Sequence, residues 1–163
     1  MSPEEVDFRD GPIDGVVVRA LVRHEDGRGW LVELYREDQL APAQHPVMAY
    51  ASQTLPGVAR GPHEHREQTD YFAFLGPGDF KLYLWDARPG AATFGHRMTL
   101  LVGESNPQTV IVPPGVVHAY KNVSPVPGVV FNCPNRLYAG EGKKGPVDEV
   151  RHEDRPGSPF AIQ

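Results

Sequence analysis

The stretch GVARGPHEHREQTDYF (57–72) gathers the densest chemistry in the chain, with His63 and His65 two apart and Asp70 five residues further on. On a strand, residues two apart share a face, so both imidazoles would project to one side. A third histidine, His118, follows a Pro-Gly turn in PPGVVHAYKN (113–122). Two chemistries suit such a set. An imidazole, with an ordinary pKa near 6.5, can take up and return a proton near neutral pH. Alternatively, His63, His65, Asp70 and His118 can ligate a divalent metal, with open positions left for water or substrate. The plainer alternative is that histidines at alternate strand positions simply face solvent.

The elements that must position these side chains read as strands. Short apolar runs rich in Val, Ile, Tyr and Phe recur every 8–14 residues or so from residue 15 to residue 133, split by EDGRG, LPG, GPG, RPG, SNP, PPG and SPVPG. Such spacing belongs to a β-sandwich or barrel. DFKLYLWD (79–86) alternates Phe80, Leu82 and Leu84 against Lys81, Tyr83 and Trp85. The first set should face a core. The second should face a cavity or a partner, where Tyr83 and Trp85 could stack on a base or sugar. EDQLAPAQ (37–44) has room for one helical turn before Pro42. Residues 1–14 read as an N-terminal arm, 15–139 as the β-domain, and 140–163 as a polar extension. That extension is either solvated or docked on the barrel or a neighbour through Val147, Val150 and Phe160.

Composition narrows the classes. With 163 residues the chain is one domain's worth, and 17 glycines with 17 prolines leave few uninterrupted helical windows. A net charge of −5 argues against non-specific binding to nucleic acid or to an anionic membrane surface. No apolar run approaches the roughly 18 residues of a membrane span. The acidic start MSPEEVDFRD lacks a signal peptide's apolar region, so a cytoplasmic protein is expected. The single cysteine, Cys133, excludes an internal disulfide and a cysteine-based zinc site.

Two resemblances follow from these motifs. Gly57, His63, His65 and Asp70 resemble the first cupin motif, with Asp70 at its Glu position. Pro113, Gly115, His118 and Asn122 resemble the second, although Pro107 stands where that motif opens on glycine. The resemblance implies an all-β jelly roll, the double-stranded β-helix, with a ligand cavity between its sheets.

Over nearly the whole chain, the sequence is similar to the dTDP-4-dehydrorhamnose 3,5-epimerase family of sugar-nucleotide cupins. EDGRGWLVELYR resembles that family's Asp-x-Arg-Gly strand with its following Glu, here Glu33. GVARGPHEH resembles its Gly-Val-x-Arg-Gly-Leu-His-x-Gln, LYLWDARPGAATFG its Asp-x-Arg segment, and IVPPGVVHAY its Ile-Pro-x-Gly-x-x-His-Gly-Phe. The resemblance implies epimerisation of a dTDP-4-keto-6-deoxy sugar without a cofactor, in a homodimer that exchanges N-terminal strands. His63 would be the base, Arg28 and Arg60 would hold the diphosphate, and His118 would line the pocket.

Three positions depart from the family. Its Gln is His65, its pocket lysine falls at or near Asp70, and its acid tyrosine aligns with Phe131. Tyr138, Tyr120 or Tyr71 could replace that acid, and Asp148 or Asp154 could stand behind the base. The first two departures complete the metal-ligand set, so a metal-dependent cupin enzyme is the competing expectation. A cupin that binds a sugar without turnover is the third.

Overall fold

The computed structural model describes residues 6–163. Thirteen strands run in the order β1 (Arg9–Asp10), β2 (Val17–Ala20), β3 (His24–Asp26), β4 (Gly29–Leu31), β5 (Tyr50–Thr54), β6 (Ala59–Glu64), β7 (Asp70–Phe74), β8 (Asp79–Asp86), β9 (His96–Gly103), β10 (Gln108–Val112), β11 (Val116–Asn122), β12 (Gly128–Asn132) and β13 (Val150–Arg151). A six-stranded sheet, β1-β9-β8-β11-β6-β13, faces a five-stranded sheet, β2-β10-β7-β12-β5. β3 and β4 form a separate hairpin. Apart from the parallel β1–β9 pair, all ladders are antiparallel. This is the all-β jelly roll that the motifs imply.

Side-chain alternation sorts the strands. Phe80, Leu82 and Leu84 of β8 enter the core between the sheets, beside Phe72 and Phe74 of β7, Val110 and Val112 of β10 and Val130 of β12. Burying each large apolar side chain contributes about 1.5–3 kcal/mol. β11 shows the alternation within one strand. Val116 and Tyr120 join this inner core, whereas Val117 and Ala119 belong to a second cluster on the outer face.

Three segments differ from the sequence reading. The run 29–36 is extended only through Leu31, because its later residues lie against no partner strand. The single turn expected in 37–44 is two separate 3₁₀ turns, Glu37–Gln39 and Pro42–Gln44, with Pro42 opening the second. A proline carries no N–H, so it is best tolerated at that first position. Of residues 1–14, the first five lie outside the described residues. The remainder packs on the domain: Arg9 and Asp10 pair with β9, and Ile13 is buried in the core.

Candidate functional site

A cleft of about 1270 Å³ opens between the sheets. One wall is β5, which presents Tyr50 and Ser52; the facing wall is β6, which presents Arg60, Gly61 and His63. The segment 134–153 borders the mouth. β6 lies against β11 with His63 directly opposite His118. Gly61 permits that approach. Its φ is +87°, and a Cβ there would come within 2.6 Å of the His118 carbonyl oxygen. Gly115, also at positive φ, turns the chain into β11, and its N–H donates to the His65 carbonyl at 2.8 Å.

The three imidazoles converge, with ring centroids 4.4 Å apart for His63 and His118 and 5.7 Å for His63 and His65. One ligand-type atom from each lies within 4.8 Å of the others. Asp70 is 1% exposed and sits beneath them. Its Oδ2 is 3.1 Å from His65 Nε2 and 3.2 Å from His118 Nε2, and its Oδ1 accepts from Gln68 and Asn132. His65 Nδ1 bonds the Asp148 carbonyl, and His118 Nδ1 bonds the Val116 carbonyl at 3.1 Å. His118 Nε2 is near enough to feel the Asp70 charge but lacks hydrogen-bond alignment with any acceptor.

These contacts set the charges. Burial, then the neighbouring His118 and His65 rings, pushes His63 down to about 2 against the opposing pull of Asp70, so it is uncharged at neutral pH. Burial also disfavours charge on His65. There, however, the hydrogen bond and charge of Asp70, helped by the Asp148 carbonyl, dominate and raise it to about 9. For Asp70, burial pushes upward, but His118 and His65 outweigh it and hold the carboxyl well below the usual carboxylate range. The cleft floor is therefore an imidazolium–carboxylate pair beside a neutral imidazole.

The structure brings His63, His65, Asp70 and His118 together; His63 and His65 line the cleft with Arg60 and Tyr138, whereas Asp70 and His118 are buried beneath it, so His118 does not line the pocket as expected. Arg60 is anchored by Thr54 Oγ1 at 2.9 Å and the Gln53 carbonyl at 2.6 Å. Other expected residues lie elsewhere. Arg28 is at the tip of the β3–β4 hairpin, ion-paired with Asp26, and Glu33 is exposed beside Arg36. Neither lines the cleft of its own chain. Tyr83 and Trp85 are not at the ligand wall: they stack on each other on the outer face of the six-stranded sheet, sealed by Phe8, Phe160 and Ile162. The period-2 alternation that sends Leu82 and Leu84 inward sends these two outward.

Asp154 is exposed and does not stand behind His63. Asp148 instead caps the turn after His65, its carboxylate accepting from the N–H groups of Arg66, Glu67 and Gln68. Phe131 is on the outer side of β12, because Val130 and Asn132 are the residues facing inward. Tyr71 also points outward, donating to the Leu34 carbonyl at 2.8 Å.

Sequence reading missed Tyr50, Arg66 and Lys143, all at the cleft. Arg66 and Lys143 form no ion pair among the described residues, whereas Arg136 and Arg151 are held by Glu67 and Glu149. For Arg66 and Lys143, no spacing rule distinguishes a cation at a mouth from one on an open surface. The signal available for Tyr50 was its parity with Ser52 and Thr54 on one strand face.

Comparisons with known proteins agree with this fold. A family model described as dTDP-4-dehydrorhamnose 3,5-epimerase matches residues 10–152. The Bacillus subtilis (strain 168) spore coat polysaccharide biosynthesis protein SpsL is 36% identical over 115 residues, 71% of this chain and 75% of that protein. The probable low-salt glycan biosynthesis epimerase Agl13 of Haloferax volcanii is 36% identical over 127 residues, 77% of this chain and 81% of its own. Among solved structures, a dTDP sugar isomerase from Desulfovibrio desulfuricans G20 superposes with a TM-score of 0.78 at 23% identity, covering 91% of each chain. With that family model matched over most of its length and two relatives at 36% identity, the chain belongs to the dTDP-4-dehydrorhamnose 3,5-epimerase family.

Proposed function

We propose that this enzyme inverts a carbon next to the 4-keto group of a dTDP-4-keto-6-deoxy sugar. The observation that carries the reading is a neutral His63 on the cleft wall beside a charged His65–Asp70 pair. A neutral imidazole has a lone pair free to accept the α-proton. Arg60, Arg66 and Lys143 at the mouth suit a diphosphate, since guanidinium pairs with phosphate through two parallel hydrogen bonds. His118, sealed behind His63, orients the cluster.

The molecule acts as a homodimer in which the β3–β4 hairpin enters the partner's cleft, bringing Arg28 and Glu33. Supporting this, Trp30 and Leu31 on that hairpin are 53% and 61% exposed and Arg28 has no role at its own cleft. Among the described residues no helix is long and apolar enough to cross a membrane, and a cytoplasmic location fits a nucleotide-sugar substrate.

The test is deuterium wash-in from heavy water at the carbons flanking the ketone. Wild type should exchange, and His63→Ala should lose exchange by about 10³-fold, within the range of general-base removal. Absence of exchange in wild type would sink the epimerase reading and leave sugar binding without turnover.

A second reading rests on one pair of distances. The 3.1 and 3.2 Å separations of Asp70 Oδ2 from two Nε2 atoms are close to the roughly 3 Å edge between neighbouring ligands of a divalent ion. His63, His65, His118 and Asp70 would hold such an ion, which would supply Lewis-acid polarisation of a carbonyl oxygen. Elemental analysis of untagged protein decides between the two: a stoichiometric ion, lost in His65→Ala, favours the metal enzyme.

A further inference from the structure

Inversion requires a proton donor on the wall opposite the base, and the position matching the family's acid tyrosine, Phe131, points out of the cleft. Taking the epimerase reading as its basis, the geometry points to Tyr50 as the general acid that reprotonates the substrate. Three tyrosines line the cleft: Tyr50, Tyr120 and Tyr138. Tyr120 is 5% exposed, its ring is held edge-on by Phe72, Phe74 and Phe80, and its hydroxyl is engaged with Ser52 Oγ at 3.1 Å. Tyr138 is 58% exposed, and among the described residues no hydrogen bond fixes its hydroxyl. Neither offers an aimed and available proton.

Tyr50 offers both. It opens β5 in the five-stranded sheet, whereas His63 is on β6 in the six-stranded sheet, so acid and base stand on facing walls. Its ring is open to the cleft, the residue being 44% exposed. Its hydroxyl oxygen accepts a hydrogen bond from Asn132 Nδ2 at 3.0 Å. Asn132 is the direct cross-strand neighbour of Tyr50. Its amide cannot turn over without loss, because its Oδ1 accepts from the Tyr71 N–H at 3.0 Å and its Nδ2 also donates to Asp70 at 2.8 Å. Asn132 therefore fills the acceptor side of the phenol, and the phenol's own proton meets no acceptor among the described residues.

The step balances without a further reactant. His63 removes the α-proton, and the C–H electron pair becomes the enolate double bond with negative charge on the former carbonyl oxygen. Tyr50 then delivers its proton to the opposite face of the same carbon. The C–H bond re-forms, the ketone is restored and a phenolate remains. The phenolate regains a proton from solvent as protonated His63 returns one.

The test follows dTDP-4-keto-6-deoxyglucose in heavy water, reading inversion and deuterium incorporation separately. In Tyr50→Phe, inversion should fall about 100-fold. Incorporation with retained configuration, driven by His63 alone, should stay within a few fold of wild type. The thermal midpoint should fall by only about 2–4 °C, the effect of leaving one buried Asn132 N–H without its acceptor. Tyr50→Phe inverting at the wild-type rate while wild type exchanges would overturn the acid and spare the epimerase reading. The same split in Tyr138→Phe or Tyr120→Phe instead would also overturn it. Wild type that neither exchanges nor inverts would overturn both.

Discussion

The two faces of the six-stranded sheet are made from the same strands and do opposite things. On β11, His118 and Tyr120 face inward while Val117 and Ala119 face outward. On β6, His63 faces the cleft while Glu64 bonds His152 at 2.9 Å on the other side. The inner face keeps polar groups under partial access to a cleft. The outer face is covered by the chain's own ends: Phe8 from the N-terminal side and Phe160 with Ile162 from the C-terminal side. Tyr83 donates to the carbonyl of Gln163, tying the last residue to β8. What makes one face a site is thus not its aromatic content but the absence of a cover supplied by the chain itself.

The sharpest way to break the contrast is to disturb the ion pair of the inner face. Asp70→Asn leaves His65 buried without its counter-charge and should lose about 3 kcal/mol, with a drop in unfolding midpoint of about 10 °C. The pH dependence has a defined sign. His65 is raised to about 9 in the folded state, so its contribution is complete below its unfolded value near 6.5 and is lost as pH rises toward 9. Asp70 is lowered, so its contribution is present above about 4 and is lost as acid protonates it. His63, held neutral in the fold, weakens stability as pH falls below about 6.5, because only the unfolded imidazole then takes up a proton. Wild type should therefore be most stable near pH 6.5, and Asp70→Asn should flatten the alkaline decline. A wild-type midpoint that stays level from pH 6.5 to 9 would show that the pair is not formed.

The outer face should respond with stability before catalysis. Phe160→Ala should cost about 2–3 kcal/mol in chemical denaturation, below the 3–5 kcal/mol typical of a central Phe because the small outer cluster it packs in can collapse around the gap. Phe160 also packs edge-on against His152, so its loss should loosen β13 where it pairs with His63 and lower turnover several-fold. The smallest effect should come from Trp85→Phe, with turnover and KM within about twofold of wild type. A tenfold rise in KM there would mean that the outer face meets substrate after all.

Much of this was legible in the sequence. A β-sandwich or barrel followed from strand-length runs with Gly-Pro turns, the jelly roll from the resemblance of two motifs to those of cupins, and the inward set Phe80, Leu82, Leu84 from alternation. His63 and His65 were expected on one face from period 2, and both reach the cleft although β6 ends at Glu64. Three things were not legible. Parity separates Tyr83 and Trp85 from the core set, but it does not say whether the other face meets ligand or the chain's own tail. Tyr50 gains its meaning only from Asn132, which lies 82 residues away in sequence. Asp148 was one of two carboxylates that spacing could not rank, and its task proved to be holding the 66–68 turn.

The sequence by itself determined the strand periodicity, the turn positions and the types of side chain available, because these depend on local sterics and on which residues alternate. Only the tertiary structure decided that Asp70 charges His65 while His63 stays neutral. That division depends on distances of about 3 Å between groups on different strands and on how much water each retains, and neither is encoded by any one segment.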